Sequence, residues 1–367
     1  MRFGLIMFLM FAVNASGNSL ETIREQFGIY QRLPGEIEIL ATNNTQEIDN
    51  VLKRTEAKRQ AVRKELNRAL TNIEPNNTAP DNNLPSPFFA EDYIAPFIHY
   101  VAVEQALALR SLEQARPNDA VESVRYVYRL ADVLSHSGSL ELCAAAARFR
   151  MQMLETAQAI LLHPTCLHEH HKQLHAIFYT QIENRIPDDL IWIRYRDEGK
   201  RFFSQLGTKP LDKIVSPNVL EELIERDAFR EYVGNNAKTR RDRAVHDQSV
   251  FLGVLGAVIE ACSVPYFQRQ PVLRQLEQEL RTHRSTPTEP VFALLLLRDV
   301  TRYMQLFAQE RSGIELAYLA LSAALGDQDR NRKRNFFTGN EYELRLITNG
   351  VMSTYQGNIK PFYVPYR

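Results

Sequence analysis

The chain has 367 residues, 44% of them hydrophobic, enough for a sizeable core in one large domain or two smaller ones. Its 44 Lys and Arg balance its 44 Asp and Glu. A formal charge of zero gives no electrostatic reason to expect DNA, RNA or an anionic membrane as partner.

The first residues carry a three-part export signature. Arg2 precedes an apolar run over 3–11, and Val13-Asn14-Ala15 offers small residues where a signal peptidase reads. The run is shorter than the roughly 20 apolar residues of a permanent span, so cleavage after residue 15 is expected. The later apolar runs, 250–259 and 291–297, are also far shorter than a span and read as core helices. The expected mature protein is periplasmic or secreted, with no permanent membrane span.

Helical periodicity dominates the rest of the chain. A short helix over 19–32, capped by Asn18 and Glu21, is stopped by Pro34-Gly35. A second, over 45–73, has Ile48, Val51, Leu52, Val62, Leu66, Leu70 and Ile73 on one face. Its charged middle reads as a solvated stretch. The Pro- and Asn-rich segment 74–87 is the clearest linker, dividing an N-terminal helical segment (16–73) from a helical body (88–325). Within the body, helices are expected over 94–116, 120–137, 140–163, 167–185, 189–206, 218–233, 236–262, 271–283 and 291–325, the last breaking near Ser312-Gly313. Short connections marked by Pro117, Gly138, Pro164 and Pro187 force antiparallel neighbours. In the tail (326–367), Asn349-Gly350 between two β-prone runs predicts a small hairpin that must pack on the helices. The fold class is mainly α: antiparallel helical hairpins, α-solenoid-like or an irregular bundle, with a C-terminal β-hairpin.

The candidate chemistry is sparse. His163, Cys166, His168, Glu169, His170, His171 and His175 lie close in sequence. His168, His171 and His175 share a helix face at spacings zinc or copper can use, and they are the candidate metal ligands. Lys172 stands where a His-Glu-x-x-His motif begun at His168 needs its second histidine, so that hydrolytic motif is not met. Exposed imidazoles at a helix start are the competing reading. Asp188, Asp189, Asp197 and Glu198 near Trp192 and Tyr195 have the look of a sugar site, against plain helix capping. No nucleophile elbow, phosphate loop or Cys-x-x-Cys occurs, and no catalytic residue is assigned. Of three cysteines, Cys143 and Cys166 fall at opposite ends of one helix, so any bridge must use Cys262; three buried thiols are the alternative. Basic runs at 238–243 and 330–334 suggest solvated loops, or contact with an anionic envelope polymer or a partner's acidic face, and Asn43 and Asn76 fit the glycosylation pattern.

Several stretches together resemble a large set of uncharacterised exported proteins of planctomycete-type bacteria. They are the paired helices around Asp119-Ala120-Val121-Glu122 and Ser139-Leu140-Glu141-Leu142, and the step Asp197-Glu198-Gly199-Lys200-Arg201-Phe202-Phe203. The Ala/Leu-rich run 314–321 and the turn Phe336-Phe337-Thr338-Gly339 complete the pattern. Lys200 and Asn335 depart from it. The resemblance implies the architecture and supplies no activity. The reading is an exported helical scaffold that binds a protein or envelope component. The alternatives are a metal-binding protein or metal-dependent hydrolase built on the 163–175 cluster, and a structural envelope protein.

Overall fold

The computed structural model describes residues 20, 24–27, 35–40, 44–70, 90–137, 139–206, 208–224, 229–230, 237–284, 288–326, 335–354 and 360–366. The linker 74–87, the second basic run and most of the first expected helix lie outside the described residues. The described elements are α1 (Gly35–Leu40), α2 (Thr45–Leu70), α3 (Ala90–Glu113), α4 (Pro117–His136), α5 (Leu140–Leu162) and α6 (His168–Glu183), then α7 (Asp188–Leu206), α8 (Pro217–Ile224), α9 (Ala237–Ala261), α10 (Tyr266–Arg284), α11 (Val291–Leu296) and α12 (Val300–Ala324). Three short strands close the chain: β1 (Glu343–Ile347), β2 (Gly350–Thr354) and β3 (Phe362–Pro365). The expected mainly helical class with a small C-terminal sheet is what the chain adopts.

The helix boundaries follow local chemistry. Asn44 receives the Glu47 amide on its Oδ1 at 3.3 Å and starts α2. α3 ends in a Schellman turn: the Arg116 amide reaches the Ser111 carbonyl and the Ala115 amide the Leu112 carbonyl, both at 2.8 Å. Ala115 holds the left-handed conformation this turn needs, at φ 56°. Pro117 then opens α4, where a missing N–H costs nothing. Two other prolines do not mark helix starts. Pro96 and Pro271 lie inside α3 and α10. For α10, tertiary contacts hold the turn ahead of Pro271: Tyr266 stacks on Phe337 at 5.0 Å, and Arg269 pairs with Asp188 at 3.0 Å.

Two apolar clusters share two helices. The first joins α2 to α6, the second half of α12 and β3, and includes Val62, Tyr100, Val124, Leu130, Phe178 and Leu321. The helix before the linker therefore packs in the same core as α3 and α4. The second gathers α7 to α11 with the first half of α12, around Trp192, Phe203, Phe251, Phe292 and Phe307. α5 contributes to both, with Cys143, Ala144 and Ala147 toward the second cluster and Phe149 and Met153 toward the first. α12 runs unbroken through Ser312 and Gly313, both buried; the interruption falls at its start, between Leu296 and Val300. Small residues there let Asn335 approach α12 at Ser312, its Oδ1 taking the Ser312 hydroxyl at 3.3 Å and the Phe337 and Thr338 amides at 2.8 and 2.9 Å. That residue is the organiser of the turn. Gly339 completes it at φ 77°.

α9 contains the one window, Arg240–Ala261, apolar and long enough among the described residues to cross a membrane. Its Phe251, Val254, Leu255 and Val258 face the second core. At Gly199 of α7 a Cβ would fall 2.2 Å from Phe251 Cε1, so glycine sets how closely α7 and α9 cross.

The hairpin forms with Ile347 opposite Gly350, leaving Thr348-Asn349 as the loop. The third strand, β3, adds to the expected hairpin; Val351 faces Val364 and Gly350 faces Pro365, which needs no N–H in that position. The sheet packs on α12, and the Ser353 hydroxyl donates to the Leu316 carbonyl at 3.1 Å.

Candidate binding groove

α4 and α6 lie side by side, and each turns a stripe toward the other, polar along most of α4 and mixed polar and apolar along α6. Along α4 these are Arg125, Tyr128, Arg129, Asp132 and His136; along α6 they are Gln173, Ala176, Ile177, Thr180 and Gln181, followed by Asn184. Spacings of three and four residues keep each stripe on one helix face. Between them runs a groove of about 430 Å³.

Two of its lining residues, Asp132 and Gln181, belong to a hydrogen-bonded ion network that lies beneath it and ties four helices. Arg150 of α5 donates to Asp132 Oδ1 at 2.8 Å, to Gln181 Oε1 at 2.7 Å and to the Ser135 hydroxyl at 3.2 Å. Gln181 in turn donates to Asp132 Oδ2 at 3.0 Å. Glu310 of α12 pairs with Arg150 at 3.5 Å and with Arg185 at 2.8 Å. The side chains of Arg150, Asp132 and Glu310 are 12%, 15% and 5% exposed. Burial works against the Arg150 charge, but the carboxylates of Glu310 and Asp132 outweigh it, and its pKa is raised. His136 closes one end, its Nδ1 2.7 Å from the Asp132 carbonyl. Burial holds that imidazole below its usual pKa, against the raising effect of the Asp132 carbonyl and carboxylate. On the rim, Arg125 pairs with Glu122 at 2.6 Å, while Arg129 lies 5.2 Å over the Tyr126 ring and bonds Asn67. The groove thus presents guanidinium and amide donors above a floor whose own charges are mutually satisfied.

The sequence-derived candidates lie elsewhere. His168 is exposed. His171 is buried, 2% exposed. His175 stacks on Tyr318 at 4.8 Å, and its Nε2 is 2.9 Å from the Ser322 hydroxyl. His170 uses Nδ1 to accept the Leu167 amide at 2.8 Å, capping α6, and His163 meets the Thr165 hydroxyl at 2.7 Å. Among the described residues no three His, Cys, Asp or Glu side chains are grouped so as to hold a metal. Asp197 and Glu198 are not brought together either. Asp197 is half-exposed and pairs with Lys200 at 3.1 Å. Glu198 is buried, with Oε2 lacking a hydrogen-bond partner. Trp192 and Tyr195 are core residues, and the Tyr195 hydroxyl donates to the Leu296 carbonyl at 2.7 Å. Asp188 serves the pair with Arg269. Among the described residues Cys143, Cys166 and Cys262 form no disulfide; the first two are buried and Cys262 is partly exposed. The groove itself escaped sequence reading. Its signal was there: Arg125, Arg129, Asp132 and His136 recur at helical spacing on a helix whose other faces are apolar.

Comparison with known protein families, with curated proteins and with solved structures finds no match to this chain.

Proposed function

We propose that this chain is an exported scaffold whose α4–α6 groove binds a polypeptide segment carrying acidic side chains. The supporting observation is the groove with its pre-organised floor: about 430 Å³ of concave, donor-rich surface held by four helices. Asp132 and Glu310 are engaged by buried arginines, so a ligand carboxylate would meet Arg125 and Arg129 on the rim, competing with Glu122 for the first and with Asn67 for the second. A concave site between bundle helices is a common place for a ligand to bind. Export is carried by the apolar N-terminal run, read with its small-residue site.

The test is a photo-cross-linking amino acid placed at Gln173, on the groove wall, in the organism that makes the protein. A cross-linked polypeptide that disappears when Arg125 and Arg129 are both changed to Glu, with thermal unfolding unaltered, supports the reading. Cross-links indifferent to that double change would sink it. The metal-binding alternative rests on histidine spacing. Elemental analysis of untagged protein decides it: stoichiometric zinc or copper lost in a His171→Ala, His175→Ala double variant would put it first.

A further inference from the structure

The two edges of the C-terminal sheet are treated oppositely. Strand order is β1-β2-β3, so β1 and β3 are both edges. The β3 edge is sealed. Tyr363 turns its backbone away from β2, and the Gln158 side chain of α5 takes both groups: Tyr363 N–H to Oε1 at 2.7 Å, and Nε2–H to the Tyr363 carbonyl at 2.6 Å. Among the described residues the β1 edge is open. All five of its residues are exposed, with Leu344, Leu346 and Ile347 at 40%, 69% and 40%. The strand carries no proline, lysine or bulge, the devices that normally blunt an edge. Its only charges, Glu343 and Arg345, pair with each other at 3.0 Å.

We infer that β1 is the self-association edge of this protein, pairing antiparallel with β1 of a second copy about a two-fold axis at Leu344. The hairpin fixes which groups face outward. Ile347 and Gly350 close a two-residue loop as a hydrogen-bonded pair, so 347, 345 and 343 bond to β2, and the backbone of Leu344 and Leu346 points to the free edge. A two-fold at Leu344 makes it exchange both bonds with its counterpart. The neighbouring residues then match in charge: Glu343 faces the second copy's Arg345, and Arg345 its Glu343. A two-fold at Arg345 would instead oppose two guanidinium groups, which side-chain pairing disfavours. The other face is equally consistent. Leu344 and Leu346 lie on the helix-facing side, since their partners Ser353 and Val351 are buried there. Leu344 would meet Leu344, and Leu346 would meet the half-buried Tyr342, whose hydroxyl is held by Glu315 at 2.7 Å. A six-stranded sheet, isologous across the axis, results.

Sedimentation equilibrium of the full mature chain tests this. The wild type should dimerise at or below about 100 μM. Arg345→Glu and Glu343→Arg, each placing like charges opposite one another, should each weaken the dimer by about tenfold or more. Mixed in equal amounts, these two variants should form a heterodimer, because each then faces its opposite charge. Leu344→Pro, which removes an outward N–H and leaves the β1–β2 ladder intact, should be monomeric with an unchanged circular dichroism spectrum. A wild type monomeric throughout that range overturns the inference. So does a dimer indifferent to Leu344→Pro, or two charge variants that fail to combine while both remain folded. A monomer whose β1 edge binds an extended peptide of another protein would likewise replace the second copy as occupant.

Discussion

Glu198 is a carboxyl group placed where its charge is unwelcome. Burial raises its pKa to about 8; Arg201 opposes that rise, Glu141 adds to it, and a hydrogen bond from the Leu140 amide offsets part. In the folded chain it holds a proton that the unfolded chain releases above its ordinary value of 4.5. Unfolding therefore releases a proton between pH 4.5 and about 8, and this group's contribution to stability falls as pH rises through that window. Glu198→Gln keeps the shape and removes the titration. The expected outcome is a flatter stability–pH curve and a gain at pH 8 on the order of 1 kcal/mol or more, read from urea midpoints. An unchanged slope would mean that water reaches the carboxyl. One helical position further on, Gly199→Ala should cost about 1–3 kcal/mol, because the Phe251 ring fills the space the new methyl needs. Thermal melts of that variant check it.

At the scale of elements, the cap of α11 comes from a distant helix. No side chain of its own caps its start. Instead the fully buried Asp247 of α9 receives the Phe292 and Ala293 amides on Oδ2 at 2.7 and 3.3 Å. Asp247→Ala should destabilise by about 1–2 kcal/mol, with Asp247→Asn recovering much of it, as denaturant titrations would show. Conversely, Ala115→Gly should stabilise by up to about 1 kcal/mol, since glycine accepts the left-handed turn that ends α3 at less strain. The same contrast explains what could be read from sequence. Local signals were legible: Pro117 before α4, Pro187 before α7 and Asn349-Gly350 in the hairpin mark element ends through backbone chemistry alone. Signals that depend on distant partners were not. Nothing within Leu297-Arg298-Asp299 announces a helix break, Ser312-Gly313 looked like one and is a packing contact with Asn335, and β3 gains its identity from β2 and Gln158. The groove was hidden for the same reason, because its two stripes acquire meaning only when α4 and α6 are set side by side.

At the scale of the molecule, the question is whether two apolar clusters make two independent folding units. α5 and α12 thread both, and between the clusters α12 places Glu310 against Arg150 and Arg185. Both helices pass through the network that joins the clusters, so the clusters should melt together. Trp192, the single tryptophan, lies in the second cluster and reports on it by fluorescence. Amide hydrogen exchange on α4 reports on the first. Coincident denaturant midpoints are expected from the two probes. Arg150→Met keeps the aliphatic length and leaves Asp132 without its cation, while Glu310 keeps only Arg185. That change should lower both midpoints together by about 3–5 kcal/mol. If fluorescence and exchange separated, or only the α4 midpoint moved, α5 and α12 would be bridges between separable domains, and the groove floor would be local architecture rather than the joint that makes the molecule one cooperative unit.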